Sequence, residues 1–283
     1  MSRTIHLGIS TCPNDTFAFH ALLEGAIETP GLRFELELHD VQELNEALAA
    51  GTFDVAKGSF FAAFDLADRL CVLPSGSALG FGNGPLLLTP GTSRPPGTPR
   101  RILGPGRWTT AHLLFRLFHP EEPEVEQVVF SEVMPALERG EADLGICIHE
   151  GRFTHAERGL GRVEDLGERW HAETGLALPL GGIFARRALG PEVLDAVQDA
   201  IERSLAHSRA HPDEALRSMR RYAQEQTDEV LRAHVDLYVN EQTERLDAAG
   251  AAAIARLEDE AHRLGLVQDR GCRLTVLGQE AEL

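Results

Sequence analysis

The residues best placed for chemistry follow the ends of short apolar runs. Leu144 to Ile148 has the length and character of a buried strand, and it delivers His149, Glu150 and Arg152 into a loop. Ligands of open α/β sheets sit beyond the carboxyl ends of strands, and histidine is the side chain best able to exchange a proton near neutral pH. His149 is therefore the candidate general base. The competing reading is a strand-end histidine that only caps with a hydrogen bond.

Three further exits share this pattern: Ser10 to Thr16, Lys57 to Ser59, and Gly106 to Ala111. Each leads into a helix start, where backbone N–H groups and the dipole favour a carboxylate. Lys57 brings a positive charge, while Ser59 and Thr110 bring hydroxyls beside Gly58 and Ala111. Ser10, Asn14, Asp15, Asn83 and Arg152 are additional candidates to line the same site. A Ser or Thr at a helix start is usually only a cap, so the recurrence of the pattern carries more weight than any one residue.

Other chemistries lack their motifs. His149, Glu150 and His155 give H-E-x-x-x-x-H rather than H-E-x-x-H, which puts the two rings on different faces of a helix. The glycine-rich segment Gly80 to Gly84 lacks dinucleotide spacing and no helix follows it. There is no phosphate-binding P-loop and no nucleophile elbow. A Cys12–His149 thiolate dyad is disfavoured because Cys12 precedes Pro13 in a tight turn and reads as a small buried hydrophobe. His20, His112 and His234 read as packing or surface histidines on helices. No metal and no cofactor are expected.

The positioning elements follow from patterning. Strands are expected at Thr4 to Ser10, Leu32 to Leu38, Asp54 to Lys57, Leu70 to Leu73, Pro85 to Leu88, Arg101 to Leu103 and Gln127 to Phe130. Helices alternate with them: Thr16 to Glu24, capped by Asn14 or Asp15; Val41 to Ala50, stopped by Gly51; Phe60 to Arg69, capped by Ser59; Thr110 to Phe118; and Glu132 to Arg139. From Pro191 onward the chain reads as helical, over Pro191 to Ala210, Pro212 to Gln226, Asp228 to Asn240 and Thr243 to Leu264, and the tail from Val267 has weak order signals. The proline-rich run Thr89 to Pro99 reads as a crossing between domains, with a return near Leu178 to Ala185. The expected organisation is α/β with two lobes: 1–95 in the first, 96–180 in the second, and 181–283 returning to the first, with its helices packed there. Such a chain has a central inter-lobe cleft for a small ligand.

Composition narrows the partners. A formal net charge of −17 disfavours nonspecific binding to nucleic acid or anionic membrane. No apolar stretch is long enough to span a bilayer, and Met1 to Gly8 runs into a strand without the apolar core of a signal peptide. Cys12, Cys71, Cys147 and Cys272 lie far apart, as reduced thiols do. The expectation is a cytoplasmic protein that binds a small carboxylate.

Five strings occur together in order: Ser10 to Phe17, Ser77 to Pro85, Gly106 to Ala111, Ile148 to Thr154, and Leu178 to Ile183. Together they resemble the 1,4-dihydroxy-6-naphthoate synthases of the futalosine route to menaquinone, over nearly the whole chain to about Leu266. The resemblance implies a type II periplasmic-binding-protein-like fold and a lyase without metal or redox cofactor. That lyase splits cyclic dehypoxanthinyl futalosine into 1,4-dihydroxy-6-naphthoate and dihydroxyacetone. It also implies His149 as general base, with ligand contacts at Lys57, Gly58, Ser59, Thr110 and Ala111. Two positions depart from the family pattern: His155 stands where tyrosine is usual, and Gly58 where a bulkier residue is expected. The rival readings are chorismate dehydratase of the same pathway, against which the Cys12 to Phe17 turn argues, and a small-acid binder or sensor without turnover.

Overall fold

The computed structural model describes residues 2–91, 100–149, 151–222, 227–268 and 271–279. The strands in chain order are β1 (Arg3–Ser10), β2 (Leu32–His39), β3 (Val55–Ser59), β4 (Leu70–Val72), β5 (Ala78–Gly80), β6 (Leu86–Thr89), β7 (Ile102–Gly104), β8 (Glu126–Gln127), β9 (Leu144–Cys147), β10 (Gly161–Asp165) and β11 (Leu178–Arg186). They form two sheets. One has the order β2-β1-β3-β11-β4, with β5 pairing β11; the other has the order β10-β6-β9-β7-β8. The chain divides correspondingly into a first unit, 1–79 with 179–283, and a second unit, 80–178.

In the first unit, β1 pairs with β2 and β3 in parallel, while β11 runs antiparallel to β3. Parallel pairing requires crossover segments, supplied by the helices α1 (Pro13–Ala18), α2 (His20–Leu23) and α3 (Val41–Ala50). The start of α3 carries a capping box, Asp40 with Glu43, and its end is set by Gly51 at φ 71°. Ile5, Leu7 and Ile9 of β1 bury against Phe17, Phe19 and Leu22, and these against the C-terminal helices α9 (Pro191–Ala210), α10 (Pro212–Tyr222) and α11 (Asp228–Tyr238) through Val197, Ile201, Met219 and Leu231. Full burial of such side chains stabilises by about 1.5–3 kcal/mol each. The C-terminal helices thus complete the first unit.

The second unit packs α5 (Thr110–Phe118) and α6 (Phe130–Glu138) beside its sheet. Leu86, Leu88, Leu103, Val133 and Leu137 form its core. Among the described residues no helix is long and apolar enough to cross a membrane.

Several local expectations are corrected. The first helix starts at Pro13 rather than Thr16, with Cys12 at its N-cap and no side-chain cap, because Asn14 and Asp15 turn to other partners. The helix after Ser59, α4 (Phe60–Phe64), stops short of Arg69. Tight i to i+3 bonds, Leu66 N–H to Ala63 and Arg69 N–H to Leu66, turn the chain into β4 instead. Phe130 opens α6 rather than closing a strand. The helix expected over Thr243 to Leu264 is two, α12 (Glu241–Glu244) and α13 (Ala248–Arg263), because Asn240 and Asp247 each cap a new start. β10 and α8 (Leu166–Thr174) have no counterpart among the expected elements; Asp165 links them by accepting the Gly167 and Glu168 N–H groups.

The tail is also ordered over 271–279. Leu274 and Val276 are buried, and Val276 bridges Val72 of β4. The chain enters the second unit at Gly80, before the proline-rich run, because β6 already hydrogen-bonds to β9 and β10. Residues 92–99 of that run, including the boundary expected at 95, lie outside the described residues, as does Glu150.

Candidate functional site

In the first unit, parallel pairing of β1 and β3 brings both of their carboxyl ends to one edge. Ser10 to Asp15 and Lys57 to Ser59 therefore meet. Lys57 Nζ lies 2.8 Å from Asp15 Oδ1 and donates to the Gly76 carbonyl at 3.3 Å. Ser10 Oγ donates to Asp15 Oδ2 at 2.5 Å, and Asn14 Nδ2 to Asp15 Oδ1 at 2.8 Å. All four side chains are buried. The Lys57 charge is thus balanced within the protein by Asp15, a residue that local sequence marks as a cap or a general lining candidate.

Ser59 sits at the start of α4 without capping it. Asn45 accepts the Ser59 N–H at 2.8 Å and donates to Ser59 Oγ at 3.1 Å, which removes that N–H as an anion donor. Gly58 has no room for a side chain: a Cβ there stands 2.4 Å from Leu48 Cδ1 and 3.1 Å from Asn45 Oδ1. A Cβ at Gly181 meets the Gly58 carbonyl at 2.8 Å and Lys57 Cε at 3.2 Å, so glycine there lets the lysine pass. Asn45 does not stand out in the sequence, and Gly181 does so only within the Leu178 to Ile183 string. The available signal is Asn45 on the buried face of α3, between Leu44 and Leu48.

In the second unit, β7 and β9 are parallel neighbours, with Ile102 opposite Leu144 and Leu103 opposite Gly145. Their exits, the α5 start and His149, leave the same edge. β6 runs antiparallel to β9, with Leu86 opposite Cys147, so Asn83 and Gly84 reach that edge as well. Thr109 is the N-cap of α5: its hydroxyl donates to the Gly106 carbonyl at 2.8 Å and accepts the His112 N–H at 3.2 Å. Thr110 and Ala111 occupy the first turn, both buried, at the positive end of the helix dipole.

Gln127 fixes this turn from β8. Its Oε1 accepts the Gly106 N–H at 3.1 Å, which leaves Nε2 to donate to the Val125 carbonyl at 3.0 Å and to His112 Nδ1 at 3.3 Å. His112 is accordingly the Nε2–H tautomer. Burial, assisted by the Arg116 and Arg107 cations, pushes its pKa down to about 4.

His149 has φ 56°, the one positive value among the described non-glycine residues. Such left-handed backbone costs roughly 1–3 kcal/mol and persists where the surroundings enforce it. Two residues on, Gly151 has no room for a side chain: a Cβ there stands 2.1 Å from Cys147 Sγ and 3.2 Å from Met134 Cε. The Phe130 ring meets the imidazole edge-on, with centroids 4.9 Å apart at 71°.

Arg152, in the short turn of helix α7 (Gly151–Thr154), donates to the Gly84 carbonyl at 3.0 Å and pairs with buried Asp165. It ties the His149 turn to the Asn83 loop. Asn83 Nδ2 donates to the Phe81 carbonyl at 3.4 Å, and its buried Oδ1 meets no hydrogen-bond partner among the described residues. His155 Nδ1 faces the Arg152 and Gly151 carbonyls at 3.1 and 3.3 Å. Each unit therefore has one sheet edge where candidate residues gather. The second unit's edge combines the His149 imidazole with the N-terminal turn of α5.

The chain is similar to known proteins over most of its length. Residues 5–263 match a family model described as menaquinone biosynthesis. A 1,4-dihydroxy-6-naphthoate synthase of Thermus thermophilus is 44% identical over 264 residues, covering 93% of this chain and 96% of that protein. A crystal structure of an Archaeoglobus fulgidus protein superposes with TM-score 0.87 at 31% identity, covering 93% of this chain and 98% of that one. The periplasmic aliphatic sulphonate binding protein of Escherichia coli superposes with TM-score 0.62 at 14% identity, covering 94% and 89%. The last likeness is one of fold, that of the periplasmic binding proteins.

Proposed function

The chain belongs to the menaquinone-biosynthesis family, and on that premise we propose that it catalyses the 1,4-dihydroxy-6-naphthoate synthase reaction. It is a lyase acting in menaquinone biosynthesis. The substrate is cyclic dehypoxanthinyl futalosine, and the products are 1,4-dihydroxy-6-naphthoate and dihydroxyacetone.

His149 is the general base. The observation that carries this role is its enforced left-handed backbone at the end of β9, beside the α5 start that leaves the parallel neighbour β7. The substrate carboxylate docks at the Thr110–Ala111 turn, where N–H groups at the positive end of the helix receive an anion. The Asn83 carboxamide oxygen, buried without a partner among the described residues, accepts a hydrogen bond from a substrate hydroxyl. His149 removes the proton whose loss starts fragmentation, a role worth roughly two to four decades in rate. The chemistry of this base needs no metal.

In the first unit, the Asp15–Lys57 pair and its Ser10 and Asn14 partners form a buried, charge-balanced polar cluster. The acidic surface, with formal net charge −17, favours a free small molecule over nucleic acid. The protein works in the cytoplasm.

The test offers the purified protein cyclic dehypoxanthinyl futalosine and, separately, chorismate. Release of 1,4-dihydroxy-6-naphthoate from the first alone supports the reading. Dehydration of chorismate, or a stable complex without product under single-turnover conditions, overturns it.

A further inference from the structure

We propose that His20, His207 and Glu214 of the first unit form a binding site for one divalent transition-metal ion of the zinc class. One donor atom from each of the three lies within 4.8 Å of the others. They come from three elements, α2, α9 and α10, and are brought together only by the packing of the N-terminal segment on the C-terminal helices. Two imidazoles and a carboxylate are a donor set suited to zinc and its neighbours, with a fourth position left for water.

Hydrogen bonding fixes which atom His20 offers. Ser218 Oγ donates to Glu24 Oε1 at 3.0 Å, so its oxygen can only accept from His20 Nδ1, 2.8 Å away. The proton is therefore on Nδ1, and the lone pair is on Nε2. His20 is 4% exposed, and its Nε2 meets no partner among the described residues. Such a buried acceptor is costly unless something occupies it. His207 Nε2 is likewise buried without a partner among the described residues. The two rings are 5.9 Å apart between centroids, and His211 lies on the far ring at 4.5 Å.

The Nδ1–H to serine to carboxylate relay is the outer support that metal-binding histidines use to fix their tautomer. Glu24 is held in turn by Arg221 at 2.8 Å. Metal–ligand bonds of about 2.0–2.1 Å set donors roughly 3.4 Å apart. Exposed Glu214 supplies the small closing movement by side-chain rotation. An ion here fastens α2, and with it the α1 turn that carries Asn14 and Asp15, to α9 and α10. It therefore acts on the stability of the first unit and does not depend on the reaction assigned above.

The test strips the full chain with a chelator and titrates zinc by calorimetry, with thermal unfolding measured before and after. His207→Ala and Glu214→Gln are compared with the parent; both lie at partly or fully exposed positions, so the fold is retained. Expected are one ion per chain at micromolar affinity or tighter and a Tm rise of roughly 5 °C or more. Affinity should fall at least about tenfold in each variant. Cobalt should give the visible absorption of a tetrahedral nitrogen–oxygen site, lost in His207→Ala, while magnesium should leave Tm unchanged. A zinc isotherm unaltered by His207→Ala, or no binding below millimolar zinc, overturns the proposal. Neither result bears on turnover of the futalosine substrate.

Discussion

Lys57 Nζ stands 2.8 Å from Asp15 Oδ1, with the two side chains 7% and 1% exposed. A buried pair of this kind adds little net stability, because desolvation offsets the attraction, yet losing one partner strands a charge. Asp15→Asn or Lys57→Met should each destabilise the protein by about 3–5 kcal/mol. The double variant should lose less than the sum of the two. Urea unfolding of the four proteins measures this, and strict additivity contradicts the coupling.

Gly151 lies two residues after His149 and packs against Cys147, with no room for a Cβ. Gly151→Ala should cost about 1–3 kcal/mol by overpacking and reduce kcat as the imidazole shifts. Cys147→Ala removes the sulfur that lies 2.1 Å from the added Cβ. The pair Cys147→Ala with Gly151→Ala should recover most of the lost kcat. A double variant no better than Gly151→Ala alone would show that the contact is irrelevant.

Gln127 holds the α5 turn through the Gly106 N–H and His112. Gln127→Ala should raise KM roughly tenfold with a smaller change in kcat, since loosening the helix start proposed to bind the carboxylate weakens ground and transition states alike. Steady-state kinetics reads the split. A fall in kcat at constant KM would move Gln127 from substrate docking to the chemical step.

Much of this arrangement is legible in the order of the amino acids. The apolar run at Leu144 to Ile148 locates β9 and its histidine, Gly51 stops α3, and Pro191 and Pro212 mark helix starts. Local punctuation carries those features. Contacts between distant segments do not show: Asp15 reads as a cap until β1 and β3 are set side by side, and the Asn45–Ser59 exchange depends on α3 packing on α4. The elements that escape a sequence reading have weak or composite signals. Asp165 with Glu168 is a cap-like spacing ahead of a helix rich in charge, and the Asn240 and Asp247 caps split one continuous helical pattern. The backbone conformation of His149 has no sequence signature at all.

Glu258 supplies a pH dependence remote from the reaction. Burial pushes its carboxyl from 4.5 up to about 7, opposed in part by the Leu274 N–H and the Arg273 cation. The folded chain thus holds this proton more tightly than the unfolded chain. The associated stability is complete below about 4.5 and is lost as pH rises through about 7. Glu258→Gln keeps an acceptor for the Leu274 N–H and removes the titration. The variant should gain on the parent between pH 5 and pH 8, by about 3 kcal/mol at most. Chemical denaturation at both pH values measures the gain, and a pH-independent difference contradicts the assignment.

His149 is proposed to remove the proton that starts the reaction, and His149→Asn under single-turnover conditions isolates that step. Asparagine tolerates the left-handed backbone that His149 adopts at φ 56°, so the turn is preserved while the base is removed. Near-parental affinity for cyclic dehypoxanthinyl futalosine is expected, with naphthoate formation slowed by about two to four decades. A variant that forms naphthoate at the parental rate would contradict it.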